Sequence, residues 1–347
     1  MATKDKMISS EAGLATAVAA ESHGELGEHV RPVRARGYWE LVWIRFRRDR
    51  LALVSIGFLI LLVLGAFAGA PLAAHLLGHG PDDLFPTAID EKLLPVGPWT
   101  RIDDPFTGES HLFILGAADT IGRDEFLRIL YGAQVSLEVA VLSTAGVMLI
   151  GTLLGSIAGY FGGWIDTLIS RVTEITMAFP ALLFYVALAA TVGPRLDGVT
   201  FGVFGKGVIT LVLVFTLLGW FYPARIMRAQ VLSIREKEYV EAARMVGASD
   251  WRIIRSHVLP HLVAPMIVYS TLIVATYVLA EAGLSFLGLG IKAPTASWGN
   301  LLAGATPFYT AQPWLMVWPG LAVLLTTLAF NLLGDGLRDA FDPRSSR

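Results

Sequence analysis

The chain has 347 residues, of which 54% are hydrophobic and only 16% charged, and its mean hydropathy is +0.60. Soluble domains carry about 25% charged residues, so this composition indicates a membrane protein. A formal net charge of −2 gives no basic field for nucleic acid, and a sequence without cysteine excludes disulfides, thiolate metal sites and cysteine nucleophiles.

The N-terminal part is polar. Residues 1–37 are rich in Ala, Glu, Gly and Ser without periodicity, which is typical of a disordered tail. Residues 38–75 are predicted to form an amphipathic segment, with arginines beside tryptophans, followed by the first membrane helix. About 50 polar residues precede that helix, so we expect an uncleaved anchor rather than a secretory signal.

Six apolar runs are long enough to cross roughly 30 Å of hydrocarbon as helices. The predicted spans are residues 51–74, 135–160, 165–192, 208–227, 262–286 and 314–333. The sequence therefore predicts an all-α membrane protein with six transmembrane helices.

The positions of Lys and Arg predict the orientation of the spans. Basic clusters precede the first span and follow the fourth, whereas residues 76–133 are rich in Asp and Glu. We therefore expect both termini to be cytoplasmic, together with the loop 229–261 and a short tail at 337–347. Residues 76–133 are expected to be extracytoplasmic, and residues 134–336 to form the core transmembrane domain.

The second span carries a glycine every four residues, at Gly151, Gly155, Gly159 and Gly163. Such a stripe predicts a close helix crossing, and four glycines in register favour it over the general glycine enrichment of membrane helices. Pro180 and Pro223 predict bends in the third and fourth spans, because proline removes a backbone donor.

Charged residues inside spans usually face protein or water, since each costs about 2.5 to 3.5 kcal/mol at the membrane centre. Glu138 and Arg171 lie near span ends, and Glu174 follows Arg171 by one helical turn, which predicts a local ion pair. Glu281, with Ser285 one turn later, is the candidate for lining a translocation path. No metal site is predicted, because the histidine pair at 75 and 79 lacks further ligands.

The polar loop, residues 238–260, stands out because it lies between two of the most apolar runs. On a helix, Ala242 and Ala243 would form a small patch open to close approach by a partner. Gly247 predicts a turn, Ser249 or Asp250 a cap for a second helix, and Pro260 the end of that helix. The alternative is a solvated connector.

The polar loop also resembles a known motif. Glu241, Ala242, Ala243, Gly247, Leu259 and Pro260 have the spacing of the Glu-Ala-Ala loop in permease subunits of binding-protein-dependent ABC importers. His257 departs from the usual Ile, but His-Val-Leu-Pro is similar to the peptide and nickel branch. Segments 121–137, 158–171, 280–302 and 334–344 resemble the same branch, although Ala118-Asp119-Thr120 replaces its usual Gly-Thr-Asp. The chain thus resembles the C-type permease of a dipeptide, oligopeptide or nickel importer.

That resemblance implies a type I ABC importer permease fold whose loop docks on an ATPase subunit. The implied coupling residues are Tyr239, Glu241, Ala242, Ala243, Gly247, Leu259 and Pro260. The implied partners are a homologous B-type permease, two ATP-binding subunits and an extracytoplasmic solute-binding protein, at a bacterial or archaeal cytoplasmic membrane. ATP and Mg would be bound by those partners and no cofactor by this chain, which has no G-x-x-x-x-G-K-[ST] phosphate loop and is not expected to be an enzyme.

Peptides are the substrate that the branch implies, with nickel, glutathione and oligosaccharide as alternatives. An ion-coupled secondary transporter would usually show an internal repeat with matching intramembrane charges. A membrane enzyme would need a converging catalytic set. The sequence has neither feature.

Overall fold

The computed structural model of the chain describes residues 37–105, 108–196 and 207–342, with side chains for all of these except 193–196. The predicted disordered tail therefore lies outside the described residues, apart from Gly37. The chain divides into two compact units, Met1–Ile44 and Arg45–Arg347. Helix α1, Tyr38–Phe46, starts in the first unit, and all other elements belong to the second.

The first span is a 28-residue helical stretch that starts at Arg50 and ends at Leu77. It consists of α2 (Arg50–Leu64), a π-helical turn (Gly65–Gly69) and α3 (Ala70–Leu77). Asp49 caps α2 by accepting hydrogen bonds from the backbone of Leu51 and Ala52, at 2.9 and 3.1 Å. In the π turn, the carbonyl of Ala66 accepts a bond from the Gln134 side chain, which ties the first span to the second.

The segment after the first span contains a small antiparallel hairpin, β1 (Thr100–Asp103) with β2 (Ser110–Phe113). Phe85, Ile102 and Phe113 form its buried core. The sequence did not predict this hairpin, although the other regular elements of the described residues are helical. Strands of four residues in a Pro- and Asp-rich segment are too short to give a readable alternation of polar and apolar residues.

Helix α4, Glu125–Phe161, has 37 residues and is about 55 Å long at 1.5 Å per residue. It starts at Glu125 rather than at residue 135, because its first turns carry charges that hide the helix from a search for apolar runs. Asp124 caps it by accepting from the backbone of Leu127 at 2.9 Å, and the buried His79 side chain bonds the other Asp124 oxygen at 3.1 Å.

The third and fourth predicted spans are each a bent pair of helices. Helices α5 (Gly163–Met177) and α6 (Ala181–Leu196) meet at 86°, with Pro180 in the break. Helices α7 (Val208–Gly219) and α8 (Phe221–Arg235) meet at 42°. Pro223 lies just after this second break, where its ring crowds the carbonyl four residues earlier. The bends predicted at the two prolines are therefore confirmed.

The remaining elements follow in chain order. Helices α9 (Glu238–Met245) and α10 (Asp250–Ile253) lie in the polar loop, and a second π turn (Ile254–Val258) leads into α11 (Leu259–Phe286). Helix α12 (Trp298–Ala305) precedes α13 (Trp314–Phe341). Within the described residues, four helical stretches are long and apolar enough to cross a membrane, or six if each bent pair counts as one span.

Candidate functional site

The polar loop is built as two short helices with a tight turn between them. Gly247 has a φ of +87°, a conformation that favours glycine. Its N–H bonds the carbonyl of Arg244 and the next N–H, of Ala248, bonds the carbonyl of Ala243, both at 3.0 Å. These two bonds form a Schellman motif, which satisfies the free carbonyls at the end of α9. Gly247 therefore fixes the angle between the two helices.

The structure differs from two local expectations for the loop. Ser249 is the N-cap residue of α10, but its side chain makes no capping bond. Asp250 lies within α10, and its carboxylate accepts a hydrogen bond from Tyr160 rather than capping the helix. Nor does the second helix end at Pro260. Proline lies in the first turn of α11, where its missing N–H is not needed, and the π turn joins α10 to α11.

The outer surface of the loop is apolar and open. Met245 is 79% exposed, Val246 89% and Trp251 63%. Glu241 and Ala242 of the Glu-Ala-Ala motif are also exposed, next to this apolar patch. Exposed apolar groups of this size with charged neighbours are typical of a protein–protein contact rather than of a solvated connector.

The inner surface of the loop is packed on the membrane helices. Val240, Ile253 and Val258 are fully buried or nearly so, in one cluster with Met227 and Val231 of α8. Burial of each such side chain contributes about 1.5 to 3 kcal/mol. The loop is therefore fixed to the ends of the spans on one side and free to bind on the other.

Of the implied coupling residues, the structure places the side chains in three environments. Tyr239 stacks on His261, with ring centroids 5.5 Å apart and 17° between the planes. Ala243 and Leu259 are half-buried against the cluster beneath the loop. Glu241, Ala242, Gly247 and Pro260 are exposed.

The sequence analysis did not predict two polar contacts, one between the loop and α4 and one between α5 and α8. The Tyr160 hydroxyl, at the end of α4, donates to Asp250 Oδ1 at 2.7 Å. Asp166 of α5 accepts two bonds from the guanidinium of Arg228 on α8, one of them at 2.6 Å. These partners lie 90 and 62 positions apart in the chain, so no local pattern points to them.

Three glycines of the predicted stripe lie where α4 crosses α8. A Cβ at Gly151 would lie 2.8 Å from the Trp220 carbonyl, and one at Gly159 would lie 2.8 Å from the Arg228 carbonyl. Gly155 faces Ala224 and Arg228 just as closely. Gly163 departs from the prediction, because α4 ends at Phe161 and Gly163 begins α5 with open space around it.

Two family profiles match most of the chain. Residues 151–347 match the profile of a family described as binding-protein-dependent transport system inner membrane component, which is more than half of the chain. The chain belongs to this family. Residues 37–95 match a second profile, the N-terminal TM domain of oligopeptide transport permease C. The resemblance to C-type permeases of peptide importers is therefore confirmed.

Two curated relatives and one solved structure illustrate the match. The dipeptide transport system permease protein DppC of Alkalihalophilus pseudofirmus is 36% identical, over 88% of this chain and 90% of that protein. The glutathione transport system permease protein GsiD of Pectobacterium atrosepticum is 35% identical, over 91% and 94%. The MetNI methionine ABC transporter, in its inward-facing form, has 19% identity and a TM-score of 0.48, over 62% of this chain and 97% of that one. The two sequence relatives are similar over nearly their whole length.

Glu281 and Ser285, the residues predicted to line a path, are buried inside the chain. Glu281 is completely buried, and its two carboxylate oxygens accept bonds from the hydroxyls of Ser136 and Ser285, both at 2.7 Å. Ser285 in turn accepts from the backbone of Ile291 at 3.0 Å. In this structure the carboxylate joins α4 to α11 inside the chain, and contact of these residues with cargo stays a prediction.

The charged pair of the third span behaves as predicted. Arg171 donates to Glu174 at 2.8 Å on the exposed surface of α5. Glu174 also lines an open cavity of about 460 Å³ between α5 and α8, together with Arg225 and Arg228. Its lining includes Arg228, the partner of Asp166, and Ala224, which faces Gly155 at the crossing.

Proposed function

We propose that the chain is the C-type permease subunit of an ATP-driven importer that moves peptides across the cytoplasmic membrane of a bacterium or archaeon. The observation that carries the proposal is the polar loop, packed on one side and apolar and exposed on the other. Family membership supplies its context. In this proposal the chain has the type I importer permease fold, with six spans and both termini in the cytoplasm.

The exposed side of the polar loop is the proposed docking surface for an ATPase subunit. Met245, Val246 and Trp251 would enter a groove on that subunit, while Glu241 accepts a hydrogen bond at its edge. A buried apolar anchor with a polar rim is the usual arrangement of an interface of this kind. The two-helix shape set by Gly247 would give the contact a defined angle.

The other partners follow from the same proposal. A homologous B-type permease would pair with this chain and enclose the path between the two subunits. Two ATPase subunits would bind ATP and Mg, because this chain has no phosphate loop, and would drive the pair between inward-open and outward-open forms. A solute-binding protein would dock on the extracytoplasmic side, where residues 76–133 form the hairpin and its core.

Peptide is proposed as the cargo because the relatives named above are described as dipeptide and glutathione permeases. Glutathione is itself a short peptide, so both names agree on a small molecule with amide and carboxylate groups. Within the peptide proposal, glutathione is the alternative to a dipeptide or oligopeptide, and nickel and oligosaccharide are the alternatives outside it.

The test is mass spectrometry of the complex that co-purifies with this chain in mild detergent, including any solute that it releases. The proposal expects a second permease, two ATPase subunits and a peptide. Recovery of the chain alone, or of copies of itself, under conditions that keep a known importer intact would contradict it and favour an ion-coupled transporter. A full complex that releases a metal or a sugar would overturn only the choice of cargo.

A further inference from the structure

Tyr160 of α4 makes polar contacts with three other helices: α8, α9 and α10. It lies in the last turn of α4 and is only 4% exposed. Its hydroxyl donates to Asp250 of α10 at 2.7 Å and accepts from Arg244 of α9 at 3.4 Å. Its carbonyl accepts from Arg235, the last residue of α8, at 3.1 Å. The guanidinium of Arg244 also lies over its ring, 5.6 Å from the centroid.

The backbone on both sides of the polar loop departs from regular α-helix. On one side, Glu236 and Lys237 interrupt the helix between α8 and α9, and Lys237 has an extended backbone. On the other side, the π turn Ile254–Val258 separates α10 from the regular part of α11. Neither connection is a regular α-helix throughout, so the loop is joined to α8 and α11 by irregular backbone and by the buried cluster beneath it.

Helix α4 has no such interruption. It runs as one α-helix from Glu125 to Phe161, and its glycines hold it close to α8. Because Tyr160 is rigidly part of α4, its bonds connect the loop directly to a helix that is not its neighbour in sequence.

The Tyr160–Asp250 bond is not needed to satisfy a buried charge. Asp250 is exposed and lines an open, polar cavity of about 610 Å³, with Glu236 and Glu241 among the other lining residues. A carboxylate in such a place is hydrated when it has no protein partner. The bond therefore fixes the position of Asp250 and is not required to satisfy its charge.

We propose that Tyr160 is a positioning residue that transmits displacement of the polar loop to α4 through its hydroxyl. The proposal rests on the function proposed above, since it requires an ATPase to move the loop. The hydroxyl is the essential group, and the ring alone fills the space without fixing Asp250.

The test uses the complete complex with its ATPases and binding protein, reconstituted in proteoliposomes, with dialanine and glutathione as the probes. Tyr160→Phe removes only the hydroxyl. Asp250→Asn keeps an oxygen that accepts the bond, and Asp250→Ala removes it. Tyr309→Phe is the matched control, because Tyr309 is an exposed tyrosine far from the loop in sequence. Two quantities are measured: amide hydrogen exchange of residues 238–258, and probe transported per ATP hydrolysed.

We expect Asp250→Ala to speed exchange in the loop about tenfold, the effect of losing one hydrogen bond to a charged group, and Tyr160→Phe to speed it at least as much, because it also loses the bond from Arg244. We also expect a roughly threefold or larger fall in transport per ATP, with basal ATP hydrolysis within about twofold of the unmodified complex. Asp250→Asn should stay near the unmodified complex in both measurements, which a merely structural role of the charge would not predict.

Unchanged loop exchange in Tyr160→Phe would overturn the contact itself. Faster exchange with unchanged transport per ATP would overturn the transmitting role, as would an equal loss in Tyr309→Phe. If the unmodified complex moves neither probe with ATP, the proposed cargo fails; the ratio of ATP hydrolysis with and without binding protein then replaces transport as the second measurement. If that ratio also shows no stimulation, the proposed function and the transmitting role fall together, while exchange still decides the contact.

Discussion

At the scale of single residues, Gly247 has a backbone conformation that other residues adopt only with strain. An ideal Cβ at this position would meet no atom within 4 Å, so space is not the limit. The positive φ alone costs a β-branched residue about 1 to 3 kcal/mol, while asparagine tolerates it better. The turn between α9 and α10 thus depends on one dihedral angle.

We expect Gly247→Val to uncouple ATP hydrolysis from transport while the spans stay folded, because the strained turn changes the angle of α9. Gly247→Asn should be close to the unmodified protein. The measurement is stimulation of ATP hydrolysis by the binding protein, with the thermal unfolding midpoint as the check on folding. Normal stimulation and normal transport in the valine variant would contradict this role.

Glu281 is a charged residue within a predicted span, which suggested contact with cargo, but its buried hydrogen bonds indicate that it stabilises the fold. We expect Glu281→Ala to cost about 2 to 4 kcal/mol, because it leaves a cavity and two buried serine hydroxyls without their acceptor. Glu174→Ala, which removes half of an exposed pair, should cost less than about 1 kcal/mol. Unfolding midpoints in detergent measure both. An unchanged midpoint with altered cargo selectivity in Glu281→Ala would instead support contact of Glu281 with cargo.

At the scale of elements, the crossing of α4 and α8 depends on the absence of side chains at Gly151, Gly155 and Gly159. We expect Gly155→Ala to destabilise the protein by about 1 to 3 kcal/mol, because the added carbon overlaps the backbone of α8. Gly57→Ala, in the first span with open space around it, should be neutral or slightly stabilising, since alanine favours helix. Equal midpoints for the two variants would show that the crossing tolerates wider spacing.

Some of these elements can be predicted from the sequence and others cannot. Apolar runs and two prolines are enough to predict a helical membrane protein and both bends, since hydropathy and a missing N–H act locally. The start of α4 differs from the predicted residue 135 because a search for apolar runs stops at charged side chains such as Arg128. These residues can still be helical where the helix extends beyond the hydrocarbon. The β1–β2 hairpin and the Tyr160–Asp250 bond depend on contacts between distant segments, which no pattern in one sequence encodes.

At the scale of the whole molecule, the exposed apolar patch of the polar loop is the proposed contact with the ATPase subunit. We expect Met245→Asp with Val246→Asp to weaken association with the ATPase subunit roughly tenfold or more, since these side chains are exposed and their loss from an interface is not offset elsewhere. Leu84→Asp, an exposed leucine in the segment before the hairpin, is the control. Pull-down affinity in detergent measures the effect, and equal retention of the ATPase by both variants would place its docking surface elsewhere.

Helix α4, about 55 Å long, is nearly twice as long as the hydrocarbon core is thick. Its first turn is capped by Asp124, which also holds His79 beside the hairpin core, and its last turn holds the polar loop. In the proposed topology one rigid body therefore reaches from the docking side of the binding protein to that of the ATPase. Two ligands that bias the same body must affect each other reciprocally. If the binding protein raises the affinity of the complex for ATP by some factor, ATP must raise its affinity for the binding protein by that same factor.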